Sequence, residues 1–491
     1  VTSTSLISRR TMLKATGAVG TVGTFGVGTT LLAPPASAAG SGYAHPGLLH
    51  TGADLSRMKS KVKAGAAPYT AGYARLTANR HAQSGWTPNP QASITRGGTG
   101  QNYAILYNDI HAAYQNGLRF HVSGDGAHAD TAVAILNAWS ARLTTLAGNA
   151  DRFLAAGLYG YQIANAAELV RDHPDFELDR FREMLSGVFA LLSDSFLVKH
   201  NDAVVSNYWT NWDLAAMSCV LATGIFCDDK AQVGRAVDYF KHGEGLGSIR
   251  NAIPVVHDDG LAEWLEAGRD QGHALLGVGL MGTFCEMAWN QGIDLYGYDD
   301  SRFLKGAQYV AKWSMGGEVP FTANTRAKGA VNGWSGSETV AGAAGVDPAM
   351  TRPIWAMIAN HYTKRRGVSA SYLTRIAAKS GPEGGGGDYG PNSGGYDQLG
   401  FGTLAFTRDR STASASPSAT ASGAASDPRP QTGSSASASA SASATPASGK
   451  DLAATGSTDV VAWSATAGIT AVAGGLLLLR RRDKVRRGTA E

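Results

Sequence analysis

Apolar residues recur along most of this chain with the 3.6-residue period of a helix. Between Asp130 and Leu146 they fall at Ala132, Ala134, Ile135, Ala138 and Trp139, then Leu143 and Leu146, which keeps them on one face. The same pattern covers Arg152 to Arg171, Phe181 to Phe196, Leu214 to Phe226 and Lys230 to Phe240, with short polar connections. Gln271 to Trp289 is apolar nearly all round, which predicts an inner helix covered on every side. No run of alternating strands and no repeat of fixed period interrupts this pattern. Successive antiparallel helix pairs predict a mainly α protein, an (α/α) toroid or incomplete helical barrel, over residues 39–410.

The two ends break the pattern. Arg9 and Arg10 precede a glycine-rich apolar run and Ala36-Ser37-Ala38, the arrangement of a twin-arginine (Tat) signal peptide over residues 1–38. Residues 411–450 are Ser, Ala, Thr, Pro and Gly with almost no apolar bulk, a composition that cannot offset its ordering entropy and reads as a disordered linker. Leu452-Ala453-Ala454-Thr455-Gly456 follows, then an uncharged apolar stretch over 460–479 and an arginine-rich tail. That order resembles a Gram-positive LAxTG sorting signal with a transmembrane helix, occupying residues 451–491. It implies cutting after Thr455 by a sortase, attachment to cell-wall peptidoglycan, and an extracellular location.

Charge changes the picture only locally. The formal net charge is +4. Three positive charges belong to the signal and three to the tail, which leaves the body near −2. The chain as a whole is therefore no nucleic-acid binder, and an acidic ligand must be met by a local basic patch. Cys219, Cys227 and Cys285 form no disulfide scaffold and no paired zinc motif. Cys219 and Cys227 lie in an apolar stretch and read as small buried hydrophobes, with one disulfide left open. The histidines show no HExxH or other ligand spacing, so no catalytic metal or other cofactor is expected, with a structural cation left open. The GxSxG elbow of a serine hydrolase is also missing.

Three segments gather aromatic, amide and ionisable residues. In Ser206 to Asp213, Tyr208, Trp209 and Trp212 suit the C–H faces of sugar rings, while Asn207 and Asn211 suit a substrate carboxylate. In Glu263 to His273, helical spacing sets Glu266, Arg269 and His273 on one face, with Glu266 to orient the imidazole. Gly268 and Gly272 weaken a helix there and suggest close backbone approach to a ligand. The third segment, Gly384 to Tyr396, is a glycine-rich loop carrying Asp388, Tyr389 and Asn392.

SNYWTNWDLAAM, EAGRDQGHALLGVGLMGTFCEMAWNQG, RPIWAMIANHY and EGGGGDYGPNSGGYDQLGFGTL stand in this order. Together they resemble the alginate-lyase domain family of the chondroitin AC/alginate lyase superfamily, most closely polysaccharide lyase family 38. The resemblance covers nearly the whole body and implies β-elimination on a uronic-acid polymer such as alginate or glucuronan. It implies that His273 acts as base or carboxylate neutraliser, and that Asn211 with Gln271 or Arg269 stabilises charge developing on the substrate carboxylate. It also implies a tyrosine acid. Family members carry that tyrosine in a VPYTTY-like segment, which here is Val319-Pro320-Phe321-Thr322-Ala323-Asn324. Tyr309 and then Tyr208 are the remaining candidates. Asn207, Trp209, Trp212, Gln271, Tyr389 and Asn392 are the expected substrate contacts, and a monomer is expected. Two other readings stay open. An inverting glycoside hydrolase would pair Glu266 with Asp213 or Asp388 at about 6.5–9.5 Å. A non-catalytic wall protein would only hold acidic polysaccharide.

Overall fold

The computed structural model describes residues 42–329, 333–385 and 396–410. The signal, the linker, the sorting signal, and Asp388, Tyr389 and Asn392 lie outside the described residues. Among the described residues, no helix is long and apolar enough to cross a membrane.

The chain is mainly helical. Helices α1 (Gly52–Lys63) and α2 (Tyr69–Ala78) lead into strand β1 (Ser93–Thr95) and then α3 (Tyr103–Ser123) and α4 (Gly126–Arg142). Strand β2 (Thr145–Ala147) pairs parallel with β1 and precedes α5 (Asp151–Glu168). Next come α6 (Leu178–Met184), a π-helical turn, α7 (Leu191–Lys199), α8 (Thr210–Phe226) and α9 (Lys230–His242). After the single turn α10 (Ile249–Ala252), α11 (Gln271–Asn290) and α12 (Tyr298–Ser314) form the next pair. The hairpin β3 (Asn324–Gly329) and β4 (Ser335–Val340) follows, then α13 (Trp355–Asn360), α14 (Ser371–Ser380) and α15 (Gly402–Ala405).

Composition sorts these helices into two layers. Every residue of α8 is buried, as are nearly all those of α5 and α11, and these helices pack side by side as the inner layer with α3. By contrast α9 buries only Val233, Ala236 and Phe240, the single stripe expected of an outer helix. The tightest inner contact depends on missing side chains. A Cβ at Gly157 of α5 would sit 2.6 Å from the Ala215 carbonyl carbon of α8, and one at Gly160 would sit 2.3 Å from Cys219 Sγ. Because each outer helix returns the chain, the inner helices run parallel. Their N-terminal ends therefore gather at one end of the molecule: Tyr103, Asp151, Thr210 and Gln271, each preceded by an irregular segment.

The predicted helices appear with shifted ends. Asp130 to Leu146 becomes α4, which starts at Gly126 and stops at Arg142, and Leu146 lies in β2 instead. Phe181 to Phe196 is split by the π-turn Leu185–Ala190. The hairpin β3–β4 adds a small sheet that the helical periodicity does not locate. All three cysteines are free thiols, Cys219 and Cys285 buried and Cys227 partly so.

Candidate active site

A cavity of about 410 Å³ opens at the N-terminal end of α8 and α11. Trp209, Gly268, Arg269, Arg326, Lys328 and Glu338 supply most of its chemistry. Its base is a stack of charge on indole. The Arg326 guanidinium lies 4.1 Å from the Trp209 ring centroid and that of Arg269 lies 5.4 Å from it. Such cation–π contacts favour the charged form where water is scarce.

The hairpin is the wall of this cavity, and hydrogen bonds hold it to the segment before α8. Arg326 Nη1 donates to the carbonyls of Ser206 (2.9 Å) and Asn207 (2.5 Å), and Arg326 Nε donates to Glu338 (2.7 Å). The Gly329 N–H donates to Asn207 Oδ1 (3.1 Å), and Ser206 Oγ donates to the Ala327 carbonyl (2.8 Å). Asn207 thus positions the wall. Gly268 makes close approach possible, but to protein: a Cβ there would lie 2.2 Å from Val340 Cγ1 and 2.5 Å from Phe321 Cζ.

The GRDQGH segment is not one helical face. Leu265–Gly268 is a 3₁₀ turn, and Asp270 is extended (φ −169°, ψ 161°) as the N-cap of α11. Asp270 takes the orienting role expected of Glu266. Its Oδ1 accepts the His273 N–H (2.8 Å) and its Oδ2 accepts from His273 Nδ1 (2.7 Å), with Arg269 Nε 3.5 Å away. One carboxylate therefore caps the helix, fixes the imidazole tautomer and joins His273 to the cavity's guanidinium. Burial alone would raise the Asp270 carboxyl, but the hydrogen bonds from His273 and the charge of Arg269 hold it down at about 2. The His273 side chain is 20% exposed, so substrate can reach it.

Glu266 is fully buried beneath this layer. Arg269 Nη1 lies 3.3 Å from its Oε1, and its Oε2 has no hydrogen-bond partner among the described residues. Burial pushes this carboxyl up to about 8, against the pull of Arg269. Burial favours its protonated form, so Glu266 cancels little of the Arg269 charge, which is met instead by Asp270 Oδ2 at 3.5 Å. Three cations of the lining, Arg269, Arg326 and Lys328, then face the single carboxylate of Glu338.

A stability consequence follows from that carboxyl. In the unfolded chain it ionises above about 4.5, and in the folded protein only above about 8. The folded state holds the extra proton between those values, so stability falls as pH rises across the window. Glu266→Gln should remove that loss, on the order of 3 kcal/mol, and flatten the melting temperature between pH 5 and pH 8. Parallel profiles for the two proteins would show that Glu266 does not titrate this way.

Other expected site residues are placed away from substrate. Gln271 uses both ends of its amide on the Asp347 backbone, donating to the carbonyl (3.1 Å) and accepting the N–H (2.8 Å). It clamps a loop and stabilises no substrate carboxylate. Tyr309 is buried, and its hydroxyl donates to the Pro320 carbonyl (2.7 Å). Burial, with the Glu263 charge beside it, pushes that phenol well above its usual range, so it is not placed as a catalytic acid. Tyr208 and Trp212 pack on Phe196 and on each other, with ring centroids 4.6 Å apart, and the Tyr208 hydroxyl accepts from Asn201 (2.9 Å). Trp212 is core, not a sugar platform. Asn211 is buried, and its Oδ1 has no partner among the described residues. Asp213, proposed to pair with Glu266 in a hydrolase, is fully buried and held by His200, Tyr239 and the Gly247 N–H.

The cavity-lining Arg326, Lys328 and Glu338 escaped the sequence analysis. The alternation of Thr325-Arg326-Ala327-Lys328 before Asn332-Gly333 is a hairpin signal, and it was the cue available.

Residues 60–321 match the alginate lyase family. The chain belongs to that family. It is a family of polysaccharide lyases, and the matched span holds Trp209, Arg269, Asp270 and His273. No curated protein matches the chain. Among solved structures, an alginate lyase from Bacteroides ovatus is similar at 14% identity and a TM-score of 0.42, over 55% of this chain and 84% of that one. Alginate lyase A1-III from Sphingomonas species A1 is similar at 16% identity and a TM-score of 0.39, over 52% and 76%. The apo form of an A1-III variant gives 14% and 0.46, over 73% and 95%.

Proposed function

We propose that this protein cleaves a uronic-acid polymer by β-elimination on an incomplete (α/α) toroid, within the polysaccharide lyase family 38 branch that the GRDQGH motif suggests. The observation that carries this reading is the Arg269–Asp270–His273 relay at the edge of a net-cationic cavity. Removing the C5 proton of a uronate puts additional negative charge on its carboxylate. Guanidinium groups already fixed in place stabilise that charge without reorganising. Arg269, with Arg326 behind it on Trp209, meets that requirement. Asp270 accepts the Nδ1 proton of His273, so the neutral ring has its lone pair on Nε2, the form that accepts a proton. The C5–H bond breaks as its proton passes to His273 Nε2, its electron pair forms the C4–C5 double bond, the C4–O4 bond breaks, and the leaving O4 takes up a proton from the imidazolium or from water. Against the hydrolase reading stand Asp213 and Glu266, both sealed in the core out of reach of a substrate.

Export by the twin-arginine route and sortase attachment through Thr455 would place this body at the cell surface, where such a polymer is met. The test is ultraviolet absorbance during incubation with alginate, polymannuronate, polyguluronate, glucuronan and hyaluronan, run on washed cells, on wall digests and on the purified chain. A rise on one polymer, with activity released by wall digestion, is expected. New reducing ends without absorbance would establish hydrolysis instead. Activity confined to the cytoplasmic fraction would remove the surface assignment.

A further inference from the structure

A second cation stands at the same end of the molecule, one inner helix away. Arg96 follows β1, and its N–H donates to the Ala147 carbonyl of β2 (3.0 Å), which fixes it beside the start of α5. Its guanidinium lies 5.1 Å from the Tyr103 ring centroid and 5.7 Å from that of Tyr159, and Nη1 donates to the Tyr159 hydroxyl (3.1 Å). No carboxylate among the described residues forms an ion pair with it. Asp397, whose charge reaches it, is already bound by Arg352 at 2.9 Å. Burial works against this charge, but Tyr159 and the charges of Asp397 and Asp151 outweigh it, so the guanidinium stays charged while neither carboxylate forms an ion pair with it. Beside it, Tyr107 and Tyr396 are stacked face to face, with centroids 4.1 Å apart and planes 12° apart, and both are half-buried.

We propose that Arg96, between Tyr103 and Tyr159, is a distal subsite that takes the carboxylate of a further uronate residue of the polymer, with the Tyr107–Tyr396 stack beside it as the sugar-facing surface. This inference rests on the polyuronate reading above. A planar guanidinium fork matches a carboxylate through two parallel hydrogen bonds, which explains why arginine stands here. Arg96 lies at the starts of α3 and α5, and His273 at the start of α11, with α8 between them. A polymer with a carboxylate on every residue spans both, whereas a single uronate reaches only one. Arg96 then contributes binding shared by ground and transition states, and helps to select charged polymers over neutral ones.

The test compares the full chain with Arg96→Gln and Arg96→Lys, on the polyuronate that the wild type cleaves. Arg96→Gln should raise KM about tenfold, the loss expected for one charge-assisted contact, with kcat within about threefold. Arg96→Lys should recover part of the loss. In affinity electrophoresis, Arg96→Gln should bind the charged polymer more weakly and its carboxyl-reduced form unchanged. An unchanged KM, or equal weakening towards both polymers, would overturn the assignment and leave Arg96 as a structural cation–π anchor. Should Arg96→Gln not fold, labelling the wild type with an arginine reagent decides the question. Polyuronate should protect Arg96 and the reduced polymer should not, and equal protection by both would count against the site. If the wild type makes no unsaturated product, the lyase reading fails, while electrophoresis still decides the Arg96 site by itself.

Discussion

Replacing His273 by alanine should lower the rate of unsaturated-product formation by about 10²–10⁴-fold, the usual contribution of a placed proton-transfer group. The protein should remain folded, because the helix cap survives: it is the His273 backbone N–H that donates to Asp270 Oδ1 at 2.8 Å. What disappears is the imidazole that Asp270 Oδ2 holds at 2.7 Å. Asp270→Asn gives a sharper version of the same experiment. An amide in that place can donate to Nδ1, which would move the ring proton to Nε2 and remove the lone pair from the reacting side. Its rate should fall towards that of His273→Ala, with a smaller change in KM. Turnover within threefold of wild type for His273→Ala would take this residue out of the mechanism. It would leave the guanidinium pair as the principal catalytic feature.

The second large effect is expected on stability and on the cavity wall together. Arg326→Ala should destabilise the protein by about 2–4 kcal/mol. The side chain is almost wholly buried. It supplies the donors for two backbone carbonyls, the partner of Glu338 and the cation on Trp209. Glu338 is more than a third exposed, so water can take over its share, and the carbonyls and the lost packing account for most of the cost. The melting temperature should drop by roughly 3–6 °C. KM should rise as well, because the hairpin then loses its fixed position over Ser206 and Asn207. Arg326→Lys keeps the charge but cannot reach all three acceptors with a planar fork, so it should recover only part of the stability. An unaltered melting curve for Arg326→Ala would mean that the hairpin is held by Asn207 and Ser206 alone.

Arg269 and Trp209 were legible because a tryptophan and an arginine in short, polar, aromatic-rich segments already suggest a sugar-acid site. Glu266 was misassigned because helical spacing was extended through Arg269 and Asp270, where the chain is a 3₁₀ turn followed by an extended residue. Spacing rules apply only within one continuous helix. Tyr309, Tyr208 and Trp212 have the right chemistry in the wrong place. Whether an aromatic residue faces a cavity or a core depends on what packs against it, and that information lies elsewhere in the chain.

The sequence by itself determined the class of fold. A helix such as α8 or α11, apolar on every side, has to be enclosed by others, and the charged ends and the Ser/Ala/Thr-rich stretch are local properties of composition. It also singled out the segment that carries the imidazole proposed to react, since GRDQGH concentrates ionisable groups within a few residues. Only the tertiary structure decided which carboxylate serves that imidazole, that Gln271 is occupied by Asp347, and that Arg326 reaches back to Trp209. It alone brought Arg96 between tyrosines from two different helices. These contacts join residues separated by from three to more than a hundred positions, and their geometry is set by helix packing, by the turn before α11 and by a hairpin whose local signal does not say what it packs against.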